Sequence, residues 1–327
     1  MKMQNDFIFI KDSLVIETHI IGYKNQGEAI LFFIKVDNYI RYSGLIDCFS
    51  NNSINVVDNL LEKNNIKKLN FICWTHPDSD HSNGFDIIFK KYVDDNTMVW
   101  IPESAIMNDK NCSNGAQKVF SELQESLKSR NPKYNVYTAS DNKDLLYYAK
   151  MLKFRKNHTD YTIKIDSYTP NSHLLNKNYM NNNFIKNDCS ILLSVRIGNI
   201  IELFTSDVEN NTLQSLPQGL YFDNLHIIKI PHHGSNTSDF MFKIFGNCQI
   251  ACSTVYRIGS VNLPLASILD RYAKVSEDLY CTGNLDSAKE HNCYGIVTIE
   301  TDVINEAYEV RLNGNASSYE QFSLGCP

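Results

Sequence analysis

An α/β fold with its chemistry at strand ends is what this sequence predicts, on three observations. Short apolar runs rich in β-branched and aromatic residues alternate with segments of helical apolar spacing. No fixed-period repeat and no clear linker interrupts the 327 residues, so a single domain over 1–327 is expected. Three stretches rich in metal-capable side chains lie where apolar runs give out: "WTHPDSDHSNG" at 74–84, "TSD" at 205–207 and "PHHGS" at 231–235.

The elements follow in order. "AILFFIKV" (29–36) and "YIRYSGLIDCF" (39–49) flank Asp37-Asn38, which reads as a hairpin turn. "INVVDNLLEKNNI" (54–66) is spaced as a helix. "KKLNFICWT" (67–75) is a buried strand that delivers 74–84 at its C-terminal end, where α/β folds carry their sites. Pro77 makes a helix within that loop unexpected. "DIIFKKYV" (86–93) reads as a helix, "TMVWIPESA" (97–105) as a strand, and 106–165 as an insertion in the domain. The Asn-rich "NKNYMNNNFIKND" (176–188) reads as a loop or lid. "CSILLSVRIGNIIELFTSD" (189–207) gives two strands around Gly198-Asn199, and "NLHIIKIPHHGSNTSD" (224–239) a further strand end. The last third reads as strand "CQIACSTV", helix "PLASILDRYAKV", and strands "DLYCTG" and "YGIVTIET".

Composition narrows the function classes. Hydrophobic residues make up 43%, with 18 Tyr and 17 Phe, enough for a sizeable core. The net charge of −6 excludes a uniformly basic nucleic-acid wrapper but leaves room for a local groove. Residues 118–156 carry nine Lys or Arg against four acids, read as a solvated helix face or as such a groove. Nine cysteines without a C-x-x-C pair suggest reduced thiols and a cytoplasmic protein. Lys11, Asp12 and Glu17 break the first apolar stretches, so no signal-peptide core is expected. No apolar run approaches the roughly 18–20 residues that span a bilayer, so no membrane partner is expected either.

His76, Asp78, Asp80 and His81 form an H-x-D-x-D-H pattern. Alternate residues leaving a strand can face one side, so His76 and Asp78 can share an ion while Asp80 and His81 face a second. Imidazole and carboxylate suit Zn²⁺, Mn²⁺ or Mg²⁺. One loop cannot close two coordination spheres, so ligands must recur; Asp207 and the pair His232-His233 end later apolar runs. Either alone would pass for a surface turn, but three such strand ends together point to a metal centre.

These motifs resemble the metallo-β-lactamase fold, and within it the nuclease-like domain of the ComEC competence proteins. That subgroup's H-x-D-x-D-H-x-G-G, T-G-D and H-H-G-S are matched here by "HPDSDHSNG", "TSD" and "PHHGS". "NQGEAILF", "GLIDCF", "NDCSILL", "VNLPLASILDRY" and "LYCTG" resemble its flanking strands, so the likeness covers nearly the whole chain except 106–165. Asn83, Ser206 and Glu28 depart from the pattern without removing a ligand, and the transmembrane channel of ComEC proteins has no counterpart.

The resemblance implies an αββα sandwich of two mixed β-sheets flanked by helices. It implies two divalent ions, Zn²⁺ or Mn²⁺ with Mg²⁺ as a further candidate. His76 and Asp78 would hold the first ion, Asp80 and His81 the second, and Asp207 would bridge them. His232 or His233 would complete the second site, with His233 favoured by the His-Gly-Ser spacing. Asp47, at a strand end, would orient the loop from behind. Lys229, Ser235 and Asp188 are candidates for substrate contact, although a lysine among isoleucines also suits a strand's solvent face; His173 reads as a surface histidine. Two ions about 3.5–4 Å apart would share a hydroxide that attacks a phosphodiester, with Asp80 and His233 as catalytic residues. The expected activity is a two-metal phosphodiesterase or nuclease acting on DNA. The alternatives are the same centre acting on a small phosphodiester, such as a cyclic nucleotide or phosphorylated headgroup, and an inactive nucleic-acid-binding or scaffold protein.

Overall fold

The computed structural model describes residues 7–51, 54–103, 112–129, 132–147, 152–181, 185–284 and 287–319. Two mixed sheets dominate it. The first runs, in spatial order, Ala307–Gly314, Tyr294–Asp302, Leu14–Tyr23, Glu28–Val36, Tyr39–Ile46, Phe71–Cys73, Met98–Pro102 and Asn135–Ala139. It is antiparallel up to Tyr39–Ile46 and parallel beyond. The second is likewise antiparallel through Thr159–Ser167, Leu193–Ile197 and Ile200–Phe204, then parallel through Leu225–Lys229, Cys248–Ser253 and Ser276–Cys281.

Strand Glu28–Val36 shows why the sheets stack. Its alternate side chains divide between two cores: Ala29, Leu31 and Phe33 on one face, Ile30, Phe32, Ile34 and Val36 on the other. The first group meets the helices Val56–Lys63, Phe85–Lys91 and Asn114–Lys128. The second meets Ile165, Leu193, Val195 and Phe204 of the other sheet. Beyond that sheet, Leu203, Ile228 and Ala251 pack on Leu213, Met241 and Leu269 of its own helices. The layers are therefore helix, sheet, sheet, helix, and period-two burial on both faces dictates that order. Asp37 and Asn38, both at positive φ (50° and 67°), close the hairpin that their residue types predict.

The expectations for the 74–84 loop and the Asn-rich segment need correction, and the described part of 106–165 is built into the layers. Helix Asn114–Lys128 turns Ala116, Val119, Phe120 and Leu123 onto the first sheet, and Asn135–Ala139 forms that sheet's edge. Lys153–Lys156 and Thr159–Ser167 join the second sheet. Its cations are correspondingly scattered: Lys118 pairs with Asp86, Arg155 with Asp160, and Lys133 and Lys156 bond backbone carbonyls of Phe89 and Asp12. The loop after Phe71–Cys73 does contain a helical turn, Ser79–Ser82, because Pro77 lies ahead of it and Asp78 caps it. Part of the Asn-rich segment is the helix Ser172–Met180, capped by Asn171, whose side chain accepts from Leu174 N–H.

Parallel pairing of Ile200–Phe204, Leu225–Lys229 and Cys248–Ser253 puts their C-terminal ends along one edge of the sandwich. Tyr39–Ile46 and Phe71–Cys73 pair in parallel in the other sheet, so Asp47 and the 74–84 loop leave side by side. No disulfide joins the cysteines among the described residues, and no helix among them is long and apolar enough to cross a membrane.

A polar bond also spans the inter-sheet core: Thr18 Oγ1 donates to Glu202 Oε2 at 2.6 Å, with both residues fully buried. Burial pushes the Glu202 carboxyl up to about 8, with the Thr18 bond pulling it partly back. Its ordinary value is 4.5, so between those values the folded chain holds a proton that the unfolded chain has released. Stability from this group is therefore present below pH 4.5 and falls as pH rises toward 8, by up to about 1.4 kcal/mol per unit. Glu202→Gln is expected to match wild type in thermal midpoint near pH 5 and exceed it near pH 8. Parallel melting profiles across that range would show that the acid is not protonated in the fold.

Candidate metal centre

Five strand ends supply the side chains. Asp47 follows Tyr39–Ile46, and His76, Asp80 and His81 follow Phe71–Cys73. Asp207 follows Ile200–Phe204, His233 follows Leu225–Lys229, and Thr254 and Tyr256 follow Cys248–Ser253. Helix Asn114–Lys128 clamps the 74–84 loop from outside: Phe120 packs edge-on to Trp74 at 5.0 Å. A Cβ on Gly115 of that helix would collide with the Asn83 side chain, so this approach requires glycine.

Glu28, His81, Asp207 and His233 bring ligand atoms within 4.8 Å of one another, a fully buried group able to hold a metal ion. Asp80 belongs with them on geometric grounds. His81 Nε2 lies 3.6 Å from Asp80 Oδ2 and 3.4 Å from Asp207 Oδ2. His233 Nε2 lies 3.2 Å and 3.4 Å from the same two oxygens. Bonds of about 2.0–2.1 Å in a tetrahedral site imply ligand–ligand edges of about 3.3–3.4 Å, the spacing seen here. Glu28 approaches the two histidines from their Nδ1 side instead, and both of its oxygens are engaged: Oε1 by Lys229 Nζ at 2.8 Å, Oε2 by Thr254 Oγ1 at 2.5 Å. Asp80 therefore offers a further carboxylate on the Nε2 side of the same two histidines.

Each histidine is aimed from behind. His81 Nδ1 donates to Asp47 Oδ2 at 2.7 Å, and Asp47 is itself fixed by Thr75 N–H and Oγ1 at 2.8 and 2.6 Å. His233 Nδ1 donates to Thr254 Oγ1 at 2.8 Å, and that hydroxyl donates onward to Glu28. Such partners set the tautomer and turn Nε2 inward. His76 Nδ1 meets the hydroxyls of Thr75 and Ser206 at 3.1 and 3.2 Å, and its Nε2 lies 4.0 Å from Asp207 Oδ2. The buried Nε2 atoms of His76 and His81 and Oδ1 of Asp207 have no hydrogen-bond partner, an arrangement that a cation would satisfy.

The backbone is strained where it matters. Asp47, Ser206, His232 and His233 all have positive φ, between 47° and 57°. Non-glycine residues are held there only when their surroundings over-determine them. At the histidine pair this conformation sends the two rings apart. His233 is buried against the cluster, whereas His232 turns outward to Thr237 and Glu209 at 2.9 and 3.0 Å.

Charge is unbalanced in the same volume. Glu28, Asp47, Asp80 and Asp207 are all buried, and Lys229 is the lysine among them. Burial works against the charge on Asp207, yet His233 and His81 hold its carboxyl well below the usual range. Burial likewise opposes the His81 imidazolium, but Asp207, Asp80, Glu28 and Asp47 raise it well above the ordinary imidazole value; Asp207, Asp80 and Glu28 push His233 up to about 9. The cluster's demand for positive charge is what a divalent cation would meet.

The remaining expected site residues sit elsewhere. Asp78 caps the Ser79–Ser82 turn and pairs with Lys186 at 2.9 Å. Lys229 is fully buried and takes Glu28 and the Ser206 carbonyl, so it faces neither solvent nor substrate. It lies on the inter-sheet side with Ile227, and the isoleucine that alternates with it, Ile228, faces the helices. Asp188 is buried against Asn178 and Thr212, and burial raises its carboxyl. Ser235 lines the cleft and accepts from Thr237 N–H; His173 is exposed. Glu28, Thr254, Tyr256 and Lys186 were missed by sequence reasoning. Only Glu28 left a signal, as an acid heading an otherwise apolar strand opposite a lysine in another.

Above the cluster opens a cleft of about 630 Å³, lined by Asp78, Asp80, Asp207, His233, Asn187, Asn236 and Asn262 among others, with the Tyr256 ring tilted against His233 at 5.3 Å. No family model matches this chain, and no curated protein matches it in sequence.

Two outcomes test the centre. Zn²⁺ or Mn²⁺ at about a hundredfold excess over its dissociation constant is expected to stabilise the chain by about 2.7 kcal/mol, and Asp207→Ala to abolish the shift in thermal midpoint. Lys229→Met, which strands Glu28, is expected to lose about 3–5 kcal/mol in urea unfolding, while Glu28→Gln with Lys229→Met loses less.

Proposed function

We propose that this chain is a metal-dependent hydrolase of the metallo-β-lactamase fold that cleaves phosphodiesters. The observation that carries the reading is the set Asp80, His81, Asp207 and His233, in which each imidazole Nε2 lies 3.2–3.6 Å from both carboxylate oxygens at the floor of an open cleft. The helix–sheet–sheet–helix layering and the H-x-D-x-D-H, T-S-D and H-H-G-S order support it further.

A divalent ion bound there would supply Lewis acidity and make water acidic enough to be a nucleophile at neutral pH. The chain's own groups do the rest. Asp47 and Thr254 keep the imidazoles of His81 and His233 in the tautomer whose Nε2 faces the cluster. Asp80, at the cleft floor with its carboxyl lowered to about 2 despite burial, is an ionised base able to orient the attacking water. Burial raises the Tyr256 phenol, which keeps its proton and can donate to a phosphate or leaving-group oxygen in the cleft.

Within this activity the cleft favours a small phosphodiester over DNA. Among the described residues no lysine or arginine lines it, and the described cations of 118–156 are spread over one helix, the segment after it and the second sheet. A long polyanion needs a track of such cations.

A panel of bis(p-nitrophenyl) phosphate, cyclic nucleotides, single-stranded DNA and duplex DNA, each with Mn²⁺ or Zn²⁺, tests both points. Turnover is expected on the small diesters, and Asp80→Ala or Asp207→Ala should lower it by about a hundredfold or more. Faster cleavage of DNA would reverse the substrate preference. No turnover on any member would remove the phosphodiesterase reading.

A further inference from the structure

The two sides of the ligand set are unequally finished. Around Asp80, His81, Asp207 and His233, donors stand at bonding spacing with Asp47 and Thr254 behind them. On the other side, His76 Nε2 comes within 4.0 Å of Asp207 Oδ2, but the third group, Asp78, is already held by Lys186. Asp78 Oδ1 accepts from Lys186 Nζ at 2.9 Å and from the N–H of Ser79 at 3.2 Å. Lys186 starts the short turn Lys186–Cys189, which is tied down on both flanks: Asn187 donates to Glu209, and Asp188 accepts from Asn178. Asn187 and Asp78 both line the cleft, so the Lys186 pair stands at its rim.

We infer that the centre has one prebuilt ion site, at Asp80, His81, Asp207 and His233, and one weak site, at His76, Asp78 and Asp207. Lys186 sets the occupancy of the weak site by holding Asp78. The inference rests on the metal reading above and extends it to the number of ions and their order of binding. An ammonium and a divalent cation compete for one carboxylate, and a second ion has to displace the first. Asp78 and Lys186 are 34% and 30% exposed, so water screens their pair and its hold is modest. It biases the second ion and does not lock it out. Lys186 is thus a positioning residue. When Asp78 turns inward, the freed ammonium remains at the cleft rim, where it can meet an anionic substrate.

Calorimetric titration of the metal-stripped full-length chain with Mn²⁺, and separately with Zn²⁺, tests this. Wild type is expected to bind in two steps, the second about tenfold or more weaker than the first. Lys186→Gln should tighten only the second step, by about fivefold, while Lys186→Arg keeps it as in wild type. Asp78→Asn should remove the second step and keep the first, which also certifies that the variant is folded. Two equal steps in wild type, or a second step that Lys186→Gln does not move, would overturn the inference. Absence of any binding would overturn it together with the metal reading beneath it, a result distinct from the other two.

Discussion

The contact on which the rest of the site depends is the buried pair of Glu28 and Lys229, at 2.8 Å. One comes from each sheet, and neither has appreciable exposure. An ion pair so placed gives up its hydration, which its Coulomb attraction offsets only if the remaining donors and acceptors are also filled. They are filled here: Thr254 takes the second oxygen of Glu28, and Lys229 adds the Ser206 carbonyl and approaches Asp207. Thr254 then aims His233, and Ser206 sits beside His76 and Asp207. Stacking the sheets and aiming the ligands are thus one arrangement, and a shift of either sheet against the other would be felt at every Nε2.

Much of this was legible in the residues. The alternation in "EAILFFIKV" and the Asp37-Asn38 turn announce a two-faced strand and its hairpin, and local chemistry suffices for both. His76, Asp80, His81 and Asp207 were visible because each lies where an apolar run stops. What stayed hidden was decided by distant partners. Asp78 has the right spacing for a ligand, but a lysine 108 residues away holds it. The pair His232-His233 differs only in backbone direction, which no residue type at those positions announces. Lys229 read as a substrate contact or a strand's solvent face because its partner begins a strand in the other sheet.

The cleft combines an acidic floor with uncharged walls. Asp78, Asp80 and Asp207 line it, beside asparagines, serines and the histidine pair, and among the described residues no lysine or arginine does so. Three carboxylates in one cleft disfavour an anion there, and a cation held among them would reverse that preference.

The ligand loop and His233 are far apart along the chain: Asp80 and His233 are separated by 153 positions and belong to different sheets. During synthesis the first half emerges with its two aspartates and two histidines in place but no Asp207 or His233 to face them. The buried cluster can assemble only after the second sheet has docked, so any ion it took would arrive as a closing step of maturation and not as a nucleus for it.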